Sequence, residues 1–83
     1  MALKMFERAI LTVDIPAEGL RTGDVGTLVD EHVVPSVSER GYSVEFFDMT
    51  GRTVAVVTVP ASSLREPTPQ DLPSVRVLSG ASG

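Results

Sequence analysis

Apolar and polar residues alternate with a period of two along most of the chain, the spacing of strands with one covered face. In "AILTVDI", Leu11, Val13 and Ile15 fall on one side and Thr12 and Asp14 on the other. Pro16 ends this run because it has no amide hydrogen for a ladder, and "PAEGL" reads as a turn with Gly19 at positive φ. In "TGDVGTLVDEH", Thr22 to His32, the residues Val25, Thr27 and Val29 alternate with Asp24, Gly26 and Leu28. Gly23 is a turn residue ahead of this strand. Gly26 lies inside it, where glycine marks a bulge or a close backbone approach. "GYSVEFFD" is the clearest strand, with Tyr42, Val44 and Phe46 on one face and Ser43 and Glu45 on the other. "DMTGR" supplies a hairpin turn with Gly51 in the left-handed position, and "RTVAVVTV" returns as the partner strand. This last run is apolar at both parities, which predicts at least partial cover on both faces. Pro60 stops it, "ASSL" forms one helical turn, and "REP" is a brief closing strand.

No stretch sustains a 3.6-residue period. "ALKMFERA" contains good helix formers, but so short and uncapped a segment makes a marginal helix. Short strands with turn signals about every 8–12 residues indicate a sandwich or a barrel. At 83 residues the chain is one domain, and the predicted fold is all-β: a small SH3-like (KOW-like) five-stranded barrel whose closure hides the strand edges. Gly23, Gly26, Gly51, Pro16 and Pro60 are the residues expected to determine it. Residues 1–8 form an N-terminal extension, 9–67 the barrel, and 68–83 a flexible tail rich in Pro, Ser and Gly. The apolar patch "VRVL" at 75–78 is a candidate added strand, through which the tail can pair with its twin in a second chain. The connection from His32 to Gly41 is a long hairpin loop that carries Val33, Val34 and Val37.

Charge narrows the function classes. The formal net charge is −4, and the seven basic residues are scattered singly. A nucleic-acid binder gathers positive charge to displace counterions from phosphates, so this distribution argues against nucleic acid and suits a protein partner with a basic surface. With no cysteine, disulfide and thiolate chemistry are excluded and a cytoplasmic setting is expected. No run has signal-peptide form or approaches the ~20 apolar residues of a membrane span.

Candidate reaction chemistry is sparse. "GDVG" lacks the spacing and the lysine of a phosphate loop, and the element after it is a strand rather than a helix. His32 stands beside Asp30 and Glu31, yet it is the only histidine, and a metal site needs three or four converging ligands. It reads as a solvated loop residue. Asp30/Glu31 and Glu45/Asp48 sit at strand ends or on outward parity, as a solvated face rather than an acid–base pair. Ser62 and Ser63 have no base arranged beside them. No catalytic set, cofactor or metal is expected. Phe47 differs from the other aromatics, because its parity belongs with Ser43 and Glu45, and an aromatic on a polar face signals an interface.

"PAEGLRTGDVGTLV", "YSVEF" and "TVPASSLR", in this order, resemble a bacterial family of small proteins, the domain-of-unknown-function family four-nine-two-six. The resemblance runs from about Ala9 to Pro67. It implies a compact SH3-like barrel and, for members encoded beside toxin genes, an antitoxin or immunity role. "GDVGTLV" is also similar to the KOW motif of ribosomal and transcription-elongation proteins, without that motif's basic surroundings. The expected function is therefore a non-catalytic protein–protein interaction module. Its interface comprises Asp30, Glu31, Glu45 and Asp48 with Val33, Val34, Val37 and Phe47. A KOW-like nucleic-acid or ribosome-associated module and a structural subunit of a larger enzyme or electron-transfer complex are the alternatives.

Overall fold

The structure, a computed structural model, describes residues 3–33 and 38–78. Five antiparallel strands curl around one core as an open half-barrel: β1 (Arg8–Leu11), β2 (Val25–His32), β3 (Gly41–Phe47), β4 (Thr53–Pro60) and β5 (Leu64–Arg65). Their order across the sheet is β4-β3-β2-β1-β5, so a four-stranded meander is completed by β5 returning to β1. This is the expected all-β, small SH3-like architecture. Closure, however, is incomplete. β4 and β5 form the two ends of the sheet, and the edge of β4 that faces away from β3 has no strand beside it among the described residues.

The core follows the inward parity of each strand. Leu11, Leu28, Val44 and Leu64 are the largest fully buried side chains, joined by Ala9, Tyr42, Phe46, Ala55 and Val59. Burying such a side chain contributes about 1.5–3 kcal/mol, so these few residues supply most of the driving force for folding. Gly26 faces the same core. A Cβ added there would stand 2.5 Å from Val44 Cγ1 and 3.0 Å from the Glu45 carbonyl oxygen, so this glycine permits the close approach of β2 and β3. Gly23 and Gly51 have φ of +95° and +91°, which an L side chain rarely adopts, and each terminates a turn as expected.

Several boundaries differ from the sequence reading. The first strand is Arg8–Leu11, which starts one residue before "AILTVDI" and ends four residues before it does, and Val13 is exposed while Ile15 makes only an isolated bridge to Leu20. The Asp14 carboxylate accepts bonds from the Thr22 amide and hydroxyl at 2.8 and 3.0 Å, which holds the chain in a bend where a ladder was expected. "PAEGL" is a 3-10 turn, Pro16–Glu18, closed by Gly19 at φ 71°. Residues 3–8 form no helix. Leu3 and Met5 pack on the core, and the amide of Phe6 donates to the Leu28 carbonyl at 2.7 Å, so this extension is part of the barrel. "ASSL" contains the 3-10 turn Ala61–Ser63. Val54 and Val56 on β4 are exposed, against the expected cover on both faces, because the core takes the parity of Ala55 and Val59 and leaves theirs outward.

The tail is tethered to the barrel. Asp71 accepts two bonds from the Arg65 guanidinium at 2.8 and 2.7 Å. Farther along, Arg76 binds the Asp24 carboxylate and donates to the Gly19 carbonyl at 3.0 Å. Residues 75–78 do not form a strand in a ladder.

Candidate functional site

The site builds on the outer parity of β3. Ser43, Glu45 and Phe47 alternate with the buried Tyr42, Val44 and Phe46, so the strand that supplies the centre of the core also supplies an outward row. Ser43 lies in a polar ladder across three strands. Its hydroxyl is 2.8 Å from His32 Nε2 on β2 and 3.0 Å from Thr58 Oγ1 on β4. His32 is therefore a strand residue with a hydroxyl partner, where the sequence placed a solvated loop histidine. Glu45 accepts a bond from the Thr53 hydroxyl. Phe47 stays 45% exposed at the end of the row.

A register shift decides the placement of the acidic pair on β2. Leu28 pairs with Val44 but Asp30 pairs with Ser43, so Val29 is an extra residue in a bulge. Beyond the bulge, Asp30 takes the outer parity with Ser43, and Glu31 takes the parity of Tyr42. Asp30 Oδ1 accepts the Glu31 amide at 2.9 Å, and its other oxygen lies 3.9 Å from His32 Nε2. Glu31 accepts from the Arg40 guanidinium and, at 3.3 Å, from the Tyr42 hydroxyl. The bond from Arg40 holds the Glu31 carboxyl below the usual carboxylate range, while loss of solvation pushes the Tyr42 hydroxyl up. Glu31 is thus occupied within the molecule and does not share a face with Asp30.

Asp48 has a structural partner set as well. Its Oδ1 accepts from the Thr50 amide at 2.8 Å, the Thr50 hydroxyl at 2.6 Å and the Arg52 amide at 3.1 Å. These bonds, led by the Thr50 hydroxyl, lower its pKa and fold the turn between β3 and β4. Of the sequence-derived interface, then, Asp30, Glu45 and Phe47 share the outer face. Asp48 caps the adjacent turn, and Glu31 lies on the opposite parity. Val33 is exposed beyond the end of β2, and Val34 and Val37 lie outside the described residues. Among the described residues no group of three His, Cys, Asp or Glu side chains is placed to hold a metal ion.

Sequence reasoning missed the groove beside this face. A cleft of about 760 Å³ runs between the outer side of the sheet, at Ile10, Val25, Phe47 and Val54, and the tail, at Leu72 and Val75. The tail forms the far wall because of its two Arg–Asp clamps. The only sequence signal for them is the isolated basic residue inside "VRVL" and the Arg65/Asp71 pair around two prolines.

A family model, Domain of unknown function (DUF4926), matches residues 5–66, which covers every strand and both 3-10 turns. The chain belongs to the DUF4926 family. No curated protein and no solved structure matches it significantly. Within the DUF4926 span lie Asp30, Glu45 and Phe47. The tail that walls the groove lies beyond it, and so does Asp71, its first anchor.

Proposed function

We propose that this DUF4926 protein is a non-catalytic protein-binding module that engages a partner through the outer face of β2 and β3. The observation that carries this reading is Phe47, an aromatic held half-exposed on a rigid strand, with Glu45 on the same row and the apolar groove beside it. Aromatic anchors at the edge of a pocket dominate binding energy, and acidic neighbours steer a basic partner to them. The internal pairing of Arg40, Arg65 and Arg76 with carboxylates supports a protein over nucleic acid, since those guanidiniums are already neutralised. The carboxylates engaged by backbone and hydroxyl donors support a structural role for them over acid–base work. An antitoxin or immunity protein that occludes a toxin surface is the narrower form of this reading.

The test is co-purification of the full chain from its native host, compared with its Phe47→Ala variant. A stoichiometric partner whose binding weakens about tenfold or more on Phe47→Ala, and weakens further with salt, is expected. Steep salt-dependent binding to RNA, with no protein recovered, would overturn the reading in favour of a KOW-like module.

A further inference from the structure

The end of the described tail behaves as a strand without a ladder. Val75 and Val77 are 75% and 88% exposed, whereas Arg76 and Leu78 between and after them are partly buried. This alternation is the two-residue period of a strand. The segment is held in place by Arg76, whose guanidinium makes bonds to both Asp24 oxygens and to the Gly19 carbonyl. Little ordering entropy therefore remains to be lost when it pairs.

At the other end of the sheet, β4 is an edge with no strand beside it among the described residues. It is eight residues long and carries no charge in "TVAVVTVP"; of the usual guards of an edge, a bulge at Val54 and a proline at Pro60 stand only at its two ends, and Ala55–Val59 between them has none. The amide of Ala61 donates to the Arg40 carbonyl at 2.8 Å, and Tyr42 pairs with Val59. By antiparallel alternation, Val59 and Val57 exchange bonds with β3, and the backbone groups of Thr58 and Val56 point to the open side. Within one chain the groove separates Val75 from Val54, so arm and edge stay apart.

We infer that the arm of one copy, residues 75–78, adds as a strand to the β4 edge of a second copy, and reciprocally. Both surfaces lacking cover belong to the same chain, so one two-fold pair satisfies both and closes. Charge permits it: β4 has none, and Arg76 is neutralised by Asp24 as Asp71 is by Arg65. The repulsion between two chains of net charge −4 therefore does not fall on this seam. Exposed valines on both strands then meet as cross-strand pairs. The arm lines the same groove as Phe47, but Phe47 itself lies on β3 and contributes nothing to a ladder on the far edge of β4.

The chain has no cysteine, which allows a clean cross-linking test. Full-length V77C and V56C chains are mixed and oxidised, and the unsubstituted chain is sedimented over a range of concentrations. The mixed V77C–V56C disulfide should predominate over both like pairs, and the unsubstituted chain should reach twice the chain mass. Val56→Lys should return it to single-chain mass with an unchanged circular dichroism spectrum, because Val56 is exposed. Phe47→Ala should leave the dimer intact, which separates this result from the fate of the partner-binding face. A single-chain mass at every concentration, or predominance of the V77C–V77C pair through twinned arms, would overturn the inference.

Discussion

At Gly26 the absence of one methyl group determines how close two strands can lie. The 2.5 Å approach to Val44 Cγ1 and the 3.0 Å approach to a backbone oxygen leave no room for a Cβ. Gly26→Ala should destabilise the fold by about 1–3 kcal/mol through overpacking, measured as a lower midpoint in urea. Gly51 differs in kind. Nothing stands within 4 Å of its missing Cβ, but its φ of +91° is costly for alanine, so Gly51→Ala should lose about 1–2 kcal/mol with the core signals unmoved in an NMR spectrum. The inside-strand position of Gly26 was legible in the sequence as either a bulge or a close approach. The structure assigns it the close approach and places the bulge at Val29, because the cause is a side chain on a different strand.

Among the elements, the turn from β3 to β4 and the tail are both held by carboxylates. Asp71 has its pKa depressed far below the ordinary value by the Arg65 guanidinium first and the Thr68 amide second. A carboxyl lowered in the folded state contributes stability above its unfolded pKa of about 3.9, and that contribution is lost as pH falls through the folded value. The tail should therefore stay clamped at neutral pH and loosen only in acid below about pH 4. Hydrogen exchange at residues 68–76 would report the loosening, and Asp71→Asn should bring it to neutral pH. Asp48 obeys the same sign: its lowered pKa means that the turn amides of Thr50 and Arg52 lose an acceptor only on acidification. The turn itself was legible from "DMTGR", since its chemistry is local. The tail clamps were not, because Arg76 and Asp24 are 52 residues apart and a composition rich in Pro, Ser and Gly reads as linker.

For the whole molecule, a small core makes each buried side chain a large share of stability. Leu28 is fully buried at the centre of the sheet, and Leu28→Ala should lose about 2–5 kcal/mol, a severe loss against a total of roughly 5–15 kcal/mol. The expected result is a cooperative melt at markedly lower temperature, or no folded state at all, read by calorimetry. The open sheet also sets the available surfaces. Because β4 and β5 do not meet, the molecule keeps one long uncharged edge and one outward face on which Asp30, Glu45 and Phe47 gather.

Periodicity and turn chemistry, read along the chain, determined that this protein is all-β, that Tyr42, Val44 and Phe46 point inward together, and that Gly19, Gly23 and Gly51 turn the chain. Those properties depend on neighbours one to four residues away, so a linear pattern contains them. Tertiary structure alone decided that Glu31 parts from Asp30, that the tail is a clamped arm, and that the barrel remains open. Each of these outcomes is a matter of strand register or of contact between distant segments. A single inserted residue such as Val29 reverses every face beyond it, and no local pattern records which strand lies opposite.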